Sequence, residues 1–170
     1  MSAAEEWYDK GVNFANLGEY QKAIDCYNKA LEIDPRYVGA WNNKGVALLN
    51  LDKFQEVIDC FDRALEIDPR YVGAWYNKGV ALGKFGKILE AIDCYNKALE
   101  IDPMLEIAWY NKGNDLYRIS KLQEAIDCYN KALEIDPRYA NAWHNKAVAL
   151  NKLGRHNEAV KCLNKAKRNG

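Results

Sequence analysis

The sequence predicts an all-α protein, and more specifically an α-solenoid built from antiparallel pairs of helices. The first observation is a ten-residue string, EIDPRYVGAW, that occurs at 32–41 and again at 66–75, with close variants at 100–109 and 134–143. The second is the even spacing of the tryptophans, at Trp7, Trp41, Trp75, Trp109 and Trp143. A fixed period of this length is the signature of stacked repeats. The third is that each period holds two apolar patterns of helical spacing and none typical of a strand.

The first helix of each unit contains the tryptophan. In the third unit, small or apolar residues follow Trp75 at Gly79, Leu82 and Phe85, which places them on one helix face. Gly86 then interrupts the pattern, and glycine is suited to end a helix. A glycine four positions after the tryptophan, as at Gly79, predicts that two helices approach each other closely there.

The second helix follows at once and carries a similar apolar face, at Ile88, Ala91, Ile92, Tyr95, Ala98 and Leu99. It closes at the string EIDP, where Asp102 is predicted to cap the next helix and Pro103 to lie in its first turn. Each helix is expected to be about 14 residues and about 20 Å long. The repeated string is therefore the joint between helix pairs, which is needed because one pair alone cannot bury its apolar face.

We interpret residues 1–170 as a single array of repeats, at 4–37, 38–71, 72–105, 106–139 and 140–170. The last repeat lacks the EIDP string, and its second helix carries Leu163 and Lys167 where earlier repeats have an aromatic residue and a leucine. More polar residues at a contact face are typical of a capping repeat. The alternative is that the chain is a fragment with an accidental end.

The two ends of the array differ in charge. The first helix is acidic, at Glu5, Glu6 and Asp9, and the last helix is basic, at Lys161, Lys165, Lys167 and Arg168. This asymmetry predicts head-to-tail stacking of copies, unless it serves only solubility.

The composition limits the classes of partner. Lys plus Arg and Asp plus Glu each number 24, so the formal net charge is zero and no strong field is available to hold nucleic acid or an anionic membrane. No apolar run reaches the length of a membrane span. The N-terminal sequence is acidic and lacks the pattern of a signal peptide, so we expect a cytoplasmic protein.

No motif indicates an enzyme, a metal site or a cofactor. The two histidines, His144 and His156, have no recurring spacing to other ligand residues, and neither a nucleophile elbow nor a phosphate loop is present. The cysteines occur once per repeat with no CxxC pair, which favours small packing residues in a reducing compartment.

The repeated pattern resembles the tetratricopeptide repeat over essentially the whole chain. The matching residues are a tryptophan followed by Lys-Gly, a Gly near the turn, then AIDCY and ALEIDP. One departure is a lysine three residues after each tryptophan, whose stem we expect to lie over the core with its ammonium group in water. The resemblance implies a right-handed superhelix in which the first helix of each unit lines a concave groove. It also implies a protein or peptide as the partner.

Helical geometry then selects the groove residues. The stripe opposite the core lies one, five, eight and nine residues after each tryptophan, and an asparagine recurs at the position two after it. The peptide-binding residues that we predict are Tyr8, Asn42, Asn43, Tyr76, Asn77, Lys84, Tyr110, Asn111, Asn114, Tyr117, Arg118, His144, Asn145 and Lys152. Tyrosine offers a large amphipathic area and asparagine both donates and accepts, which suits an extended peptide or a helix. The alternatives are that the stripe only solvates an inner wall, with some tyrosines stacking between adjacent helices, and that the asparagines bond neighbouring helices.

The resemblance also bears on how a peptide would be held. Asn43, Asn77, Asn111 and Asn145 are similar to the asparagine ladder with which some family members hold a peptide backbone. The carboxylate clamp of chaperone-binding members is not expected, since Tyr, Asn or His stand where its lysines belong. Lys84, Arg118 and Lys152 predict a mild preference for acidic peptides.

We therefore predict a non-enzymatic module that binds a peptide or helix of a partner protein. One alternative is a self-assembling scaffold. The other is a consensus-like array with no selected ligand.

Overall fold

The computed structural model describes residues 2–169, which form ten α-helices and no strand. This confirms the predicted all-α fold of short helices joined by tight turns. None of the helices within that range is both long and apolar enough to cross a bilayer. The helices are α1 (Ala3–Asn16), α2 (Tyr20–Ile33), α3 (Val38–Asn50), α4 (Phe54–Ile67), α5 (Val72–Lys84), α6 (Ile88–Ile101), α7 (Glu106–Arg118), α8 (Leu122–Ile135), α9 (Ala140–Lys152) and α10 (His156–Asn169).

The chain divides into two compact units, residues 1–85 and 86–170. Unit 1 contains α1 to α5, in which α1 packs on α2, α3 on α4, and α3 also on α2 and α5. Unit 2 contains α6 to α10, in which α7 packs on α8, α9 on α10, and α7 also on α6 and α9. In each unit, therefore, the first helices of consecutive repeats lie side by side, which brings their polar faces together.

Glycine permits the close approach of the two helices of a pair. A Cβ atom on Gly113 in α7 would lie 2.6 Å from Cε1 of Tyr129 in α8. Gly45 stands in the same relation to Phe61, at 2.7 Å. The rings of Tyr129 and Phe61 are fully buried. Each ring therefore occupies the space that a side chain at the facing glycine would need.

The joint between pairs differs from the prediction in its cap. Asp102 ends α6 as its C-cap, with its own backbone N–H bonded to the carbonyl of Ala98. Its carboxylate accepts a hydrogen bond from the backbone N–H of Met104 at 3.0 Å, so it holds the turn instead of capping α7. Pro103 lies in that turn, and α7 begins only at Glu106.

The proline has a role that the sequence did not suggest. The indole N–H of Trp109 donates to the carbonyl of Pro103 at 3.0 Å. The same bond recurs at the other three joints, from Trp41 to Pro35, Trp75 to Pro69 and Trp143 to Pro137. Each of these four tryptophans therefore ties its helix to the preceding turn, which explains why Pro and Trp keep a constant spacing.

The lysine three residues after each tryptophan lies over the core, as we predicted, although the ammonium group of Lys78 forms an ion pair with Asp62 and is not left in water. Its Nζ atom stands over the indole at 4.9 to 5.9 Å from the ring centroid in all five repeats. Its stem covers the ring while the ammonium group makes a cation–π contact. The prediction that Gly86 ends α5 also holds, since it follows the C-cap Phe85 with a φ of 81°.

The cysteines are buried packing residues. All five thiols are free and buried. Burial raises the pKa of Cys60 and of Cys128 to about 11, so both are protonated at neutral pH. Among residues 2–169, His, Cys, Asp and Glu form no cluster of three that could hold a metal ion.

Candidate functional site

A pocket of about 250 Å³ opens between α7 and α9 in unit 2. We call it the unit-2 pocket. The side chains of α8 form its floor, and those of α7 and α9 form its walls. Its lining residues are Asn114, Tyr117, Arg118, Tyr129, Asn145 and Val148. Asn114, Tyr117, Arg118 and Asn145 were predicted as binding residues, and the structure brings these four together.

Hydrogen bonds fix the orientation of the two amides in the unit-2 pocket. The Oδ1 atom of Asn114 accepts from the Tyr129 hydroxyl at 2.9 Å and from Asn145 Nδ2 at 2.8 Å. Asn145 Nδ2 also donates to the Tyr110 hydroxyl at 3.0 Å. With these bonds made, the groups that remain for a ligand are the Nδ2 donor of Asn114 and the Oδ1 acceptor of Asn145.

A buried carboxylate positions the arginine. Arg118 donates from Nη1 to Oδ1 of Asp115 at 2.8 Å, one turn earlier on α7. The Asp115 side chain is only 7% exposed, whereas that of Arg118 is 49% exposed. Burial raises the pKa of Asp115 and the hydrogen bond and charge of Arg118 oppose that rise. The guanidinium group is thus held by a buried partner while much of it faces solvent at the pocket.

A second cation lies at the same place. The Nζ atom of Lys152 stands 4.5 Å from the ring centroid of Tyr117. This contact joins the last turn of α9 to that of α7. Arg118 is the charged residue of the pocket lining, and Lys152 adds a second positive charge beside it.

Unit 1 has a counterpart of this pocket with different chemistry. The unit-1 pocket, of about 190 Å³, lies between α1 and α3 and is lined by Val12, Ala15, Asn16, Tyr20, Tyr27, Asn43, Val46 and Ala47. In repeat register, Val12 corresponds to Asn114, Ala15 to Tyr117 and Asn16 to Arg118. The unit-1 pocket is therefore more apolar and has no charged residue in its lining.

The predicted binding amides of unit 1 join neighbouring helices. Asn43 donates to the Tyr8 hydroxyl at 2.9 Å, Asn42 donates to Asn43 at 3.0 Å, and Asn77 donates to Asn42 at 3.0 Å. Asn42 is only 6% exposed, which leaves it little area with which to touch a ligand. This chain of bonds links α1, α3 and α5, as the alternative interpretation of these residues expected.

The predicted tyrosines lie partly between helices. The ring of Tyr8 packs against Tyr37 with centroids 4.8 Å apart, and Tyr110 packs against Tyr139 in the same way at 4.8 Å. Burial raises the pKa of the Tyr8 hydroxyl, and it raises that of Tyr27 beneath it to about 12. Tyr76 is also half-buried.

The remaining predicted residues are spread along the two units. Lys84 forms an ion pair with Asp52 at 2.7 Å in unit 1. In unit 2, Asn111 is half-buried and His144 is exposed. None of these three lines the unit-1 or the unit-2 pocket.

Sequence reasoning missed Asp115 and Tyr129. A position-by-position comparison of the repeats would have found Asp115, because Ala47, Ala81 and Ala149 occupy the corresponding positions in three other repeats. The aromatic residue that recurs at the position of Tyr129 was expected on the contact face towards the following repeat, and only the structure shows the Tyr129 hydroxyl bonded to Asn114.

Comparison with known proteins agrees with the fold. The model of the tetratricopeptide repeat family matches residues 4–37, 38–71, 72–105 and 107–139, and a second tetratricopeptide repeat model matches residues 128–161. An uncharacterized protein of Methanocaldococcus jannaschii, MJ0572, is 43% identical over 37 residues. That match spans 22% of this chain and 43% of the archaeal protein.

Solved structures of low sequence identity share the fold. A crystal structure of MamA superposes with a TM-score of 0.85 at 24% identity, covering 94% of this chain and 93% of that one. MamA from Desulfovibrio magneticus RS-1, residues 41 to the end, gives 0.87 at 20% identity, with 98% and 94% covered. YrrB, described as a TPR protein with an unusual peptide-binding site, gives 0.75 at 24% identity, with 94% and 82% covered. Since the family model matches four consecutive repeats that make up most of the sequence, this chain belongs to the tetratricopeptide repeat family.

Proposed function

We propose that this protein is a non-enzymatic interaction module that binds a peptide segment of a partner protein, with the unit-2 pocket as its main contact. The observation that carries the proposal is the pair of oriented amides in that pocket. Asn114 offers a donor and Asn145 an acceptor, which are the two groups that a peptide bond requires. YrrB, which shares the fold, is itself described as peptide-binding.

The comparison between repeats supports a selected site over a consensus-like array without a ligand. Residues 114–118 read NDLYR, whereas the corresponding residues are VALLN at 46–50, VALGK at 80–84 and VALNK at 148–152. Earlier in this helix, these four repeats share Ala-Trp and, after one variable residue, Asn-Lys. A substitution of alanine by a buried aspartate costs desolvation energy, so packing alone does not account for Asp115.

The same residues support a preference for acidic peptides. Arg118 is held by Asp115, and Lys152 lies one helix away. A guanidinium group that a buried carboxylate holds in place presents its positive charge at the pocket, where it attracts the carboxylate of an acidic peptide. The unit-1 pocket has no charged residue in its lining, so we expect the preference to come from unit 2.

A repeat-exchange variant tests the proposed binding surface. The variant gives residues 114–118 of α7 the sequence of residues 148–152 of α9, which this fold already accommodates. Its substitutions are Asn114→Val, Asp115→Ala, Tyr117→Asn and Arg118→Lys. The control variant is Asn13→Ala with Asn16→Lys in α1, which makes two of the corresponding changes in unit 1. Both are compared with the wild type in pull-downs from native lysate, followed by cross-linking to map the bound segment.

We expect a partner segment that the wild type and the control capture and the exchange variant loses. A synthetic peptide of that segment should then bind the wild type in solution, and its affinity should fall when its acidic residues are changed to amides. Equal capture by all three proteins, or binding indifferent to peptide charge at low and moderate salt, would refute the pocket or the charge preference respectively.

A further inference from the structure

We propose that copies of this chain stack head to tail in repeat register, with α1 of one copy docking on α9 and α10 of another. The proposal goes beyond peptide binding and uses residues outside the unit-2 pocket. It rests on four substitutions that fall at the positions where helix pairs meet inside each unit. The partner is therefore a second copy of the same chain.

The internal joints define which positions touch. Ala30 and Leu31 at the end of α2 form a cluster with Ala40 of α3. The joint between α8 and α9 repeats this cluster with Ala132, Leu133 and Ala142. In both joints the alanines are fully buried and the leucine nearly so. Each joint is therefore a small apolar contact between one second helix and the next first helix.

The outer helices carry opposite charges at these same positions. Glu6 of α1 corresponds to Ala40, and Lys167 of α10 corresponds to Leu31. Both are exposed in the single chain. If a second copy continued the array in register, the Glu6 carboxylate of one chain would lie against the Lys167 ammonium group of the other. An apolar contact would be replaced by an ion pair.

A second pair of positions changes in the same way. Inside unit 1, Asn43 of α3 donates to the hydroxyl of Tyr8 in α1 at 2.9 Å. The residue of α1 that corresponds to Asn43 is Asp9, and the residue of α9 that corresponds to Tyr8 is His144. In repeat register these two meet, and the carboxylate of Asp9 accepts a hydrogen bond from the imidazole of His144. Asp9 and His144 are both exposed in the single chain.

The two changes are matched in sign and in place. Charge on the outer helices would favour solubility whatever its sign. Here Glu6 and Asp9 of α1 stand at positions whose internal contact partners are replaced at the other end by a lysine and by a histidine that can donate a hydrogen bond. The apolar part that remains is Ala166 with Trp143 and Trp7, which correspond to Ala30 and to the two tryptophans of the internal joint, while its leucine and its second alanine are replaced by charged residues. Association should therefore be weak and sensitive to salt.

Sedimentation of the whole chain over a range of concentrations tests the proposal. The wild type should associate reversibly at low ionic strength and dissociate as salt is added. Lys167→Glu should weaken association by about tenfold, because an attraction becomes a repulsion. Glu6→Lys should do the same, and the double variant Glu6→Lys with Lys167→Glu should recover the wild-type association, because the pair is restored with its signs exchanged.

Lys161→Glu is the matched control. It makes the same charge change on the same helix, at a position that corresponds to Asp25, which is exposed and outside the joint cluster. We expect it to leave association within about twofold of the wild type. The circular dichroism of every variant shows whether the helices are retained.

Three results would overturn the proposal. The first is a wild-type chain that stays monomeric at every concentration and salt. The second is equal weakening by Lys161→Glu and Lys167→Glu, which would show a general charge effect without register. The third is a double variant that does not recover. None of these bears on peptide capture by the unit-2 pocket, which the pull-down measures independently.

Discussion

Gly113→Ala tests whether the floor of the unit-2 pocket is as tightly fitted as the structure indicates. The added Cβ atom would lie 2.6 Å from Cε1 and 2.8 Å from Cδ1 of Tyr129, where carbon atoms in contact are normally about 3.5–4.0 Å apart. The ring has little room to move, because it is 1% exposed and its hydroxyl is bonded to Asn114. Overpacking of this kind costs about 1–3 kcal/mol.

An opposing term decides the net effect. Alanine favours a helix over glycine by about 0.8–1.0 kcal/mol. The variant should therefore lower the free energy of unfolding by about 1 kcal/mol. Repeat five shows how the clash is avoided, because Ala147 there belongs to a cluster in which Leu163 takes the place of the tyrosine. In a Tyr129→Leu background the same glycine substitution should become stabilising by up to about 1 kcal/mol.

Urea unfolding followed by far-ultraviolet circular dichroism measures all four proteins of this cycle. The expected signature is a change of sign, with a coupling energy of about 1–2 kcal/mol between positions 113 and 129. Tyr129→Phe separates the loss of the hydroxyl from the loss of ring volume. If Gly113→Ala has the same effect in both backgrounds, the ring does not occupy the space above Gly113 and the reasoning is wrong.

Three further predictions concern single groups. Asp115→Ala should raise the free energy of unfolding at pH 7 by about 0.5–1 kcal/mol, through helix propensity and the loss of a buried charge. The pKa of Asp115 is raised in the folded state, so the wild type loses stability as pH rises through that pKa. The extra unfolding free energy of the variant, measured by urea unfolding, should therefore shrink as pH drops towards 4. A difference between variant and wild type that stays constant with pH would contradict this. The pKa values of Cys60 and Cys128 are about 11. At pH 8 both thiols should therefore react with iodoacetamide at least about a hundredfold more slowly in the folded protein than in urea. Peptide mapping of the alkylated sites measures the rate at each cysteine. Trp109→Phe removes the 3.0 Å bond to the Pro103 carbonyl and should lower the unfolding free energy by about 1–2 kcal/mol; an unchanged urea midpoint would show that the bond contributes nothing.

The fold could be predicted from the sequence because the repeat supplies the same signal five times. Spacing within one repeat predicts the positions of the helices. It also predicts the end of α5 at Gly86 and the lysines that lie over the core. The cap at Asp102 was predicted wrongly because two local motifs compete there. An aspartate before a proline can begin a helix or hold a turn, and its bond to the Met104 N–H shows that the turn is formed.

The site was harder to predict because an amide's role depends on its neighbour in the next repeat. Asn43 and Asn145 occupy the same position, yet Asn43 meets Val12 across the unit-1 pocket while Asn145 meets Asn114 across the unit-2 pocket. Both bond to the tyrosine of the preceding first helix. Asn145 makes its second bond to Asn114, an amide of the pocket lining, whereas Asn43 bonds to Asn42 and to the phenol of Tyr27. The periodic pattern identified the stripe but not this difference.

In an array of near-identical repeats, each residue can be compared with the residues at the same position of the other repeats. Asparagine two residues after the tryptophan recurs in four repeats, and at Asn43, Asn77 and Asn145 it joins one first helix to the preceding one. The recurring asparagine therefore serves the contact between neighbouring first helices, which recurs along the array. Residues 114–118 and the pairs Glu6 with Lys167 and Asp9 with His144 depart from the repeat where nothing in the packing of a single unit requires it. Departures of this kind are where binding is to be sought, because identical packing requirements would otherwise keep the repeats alike.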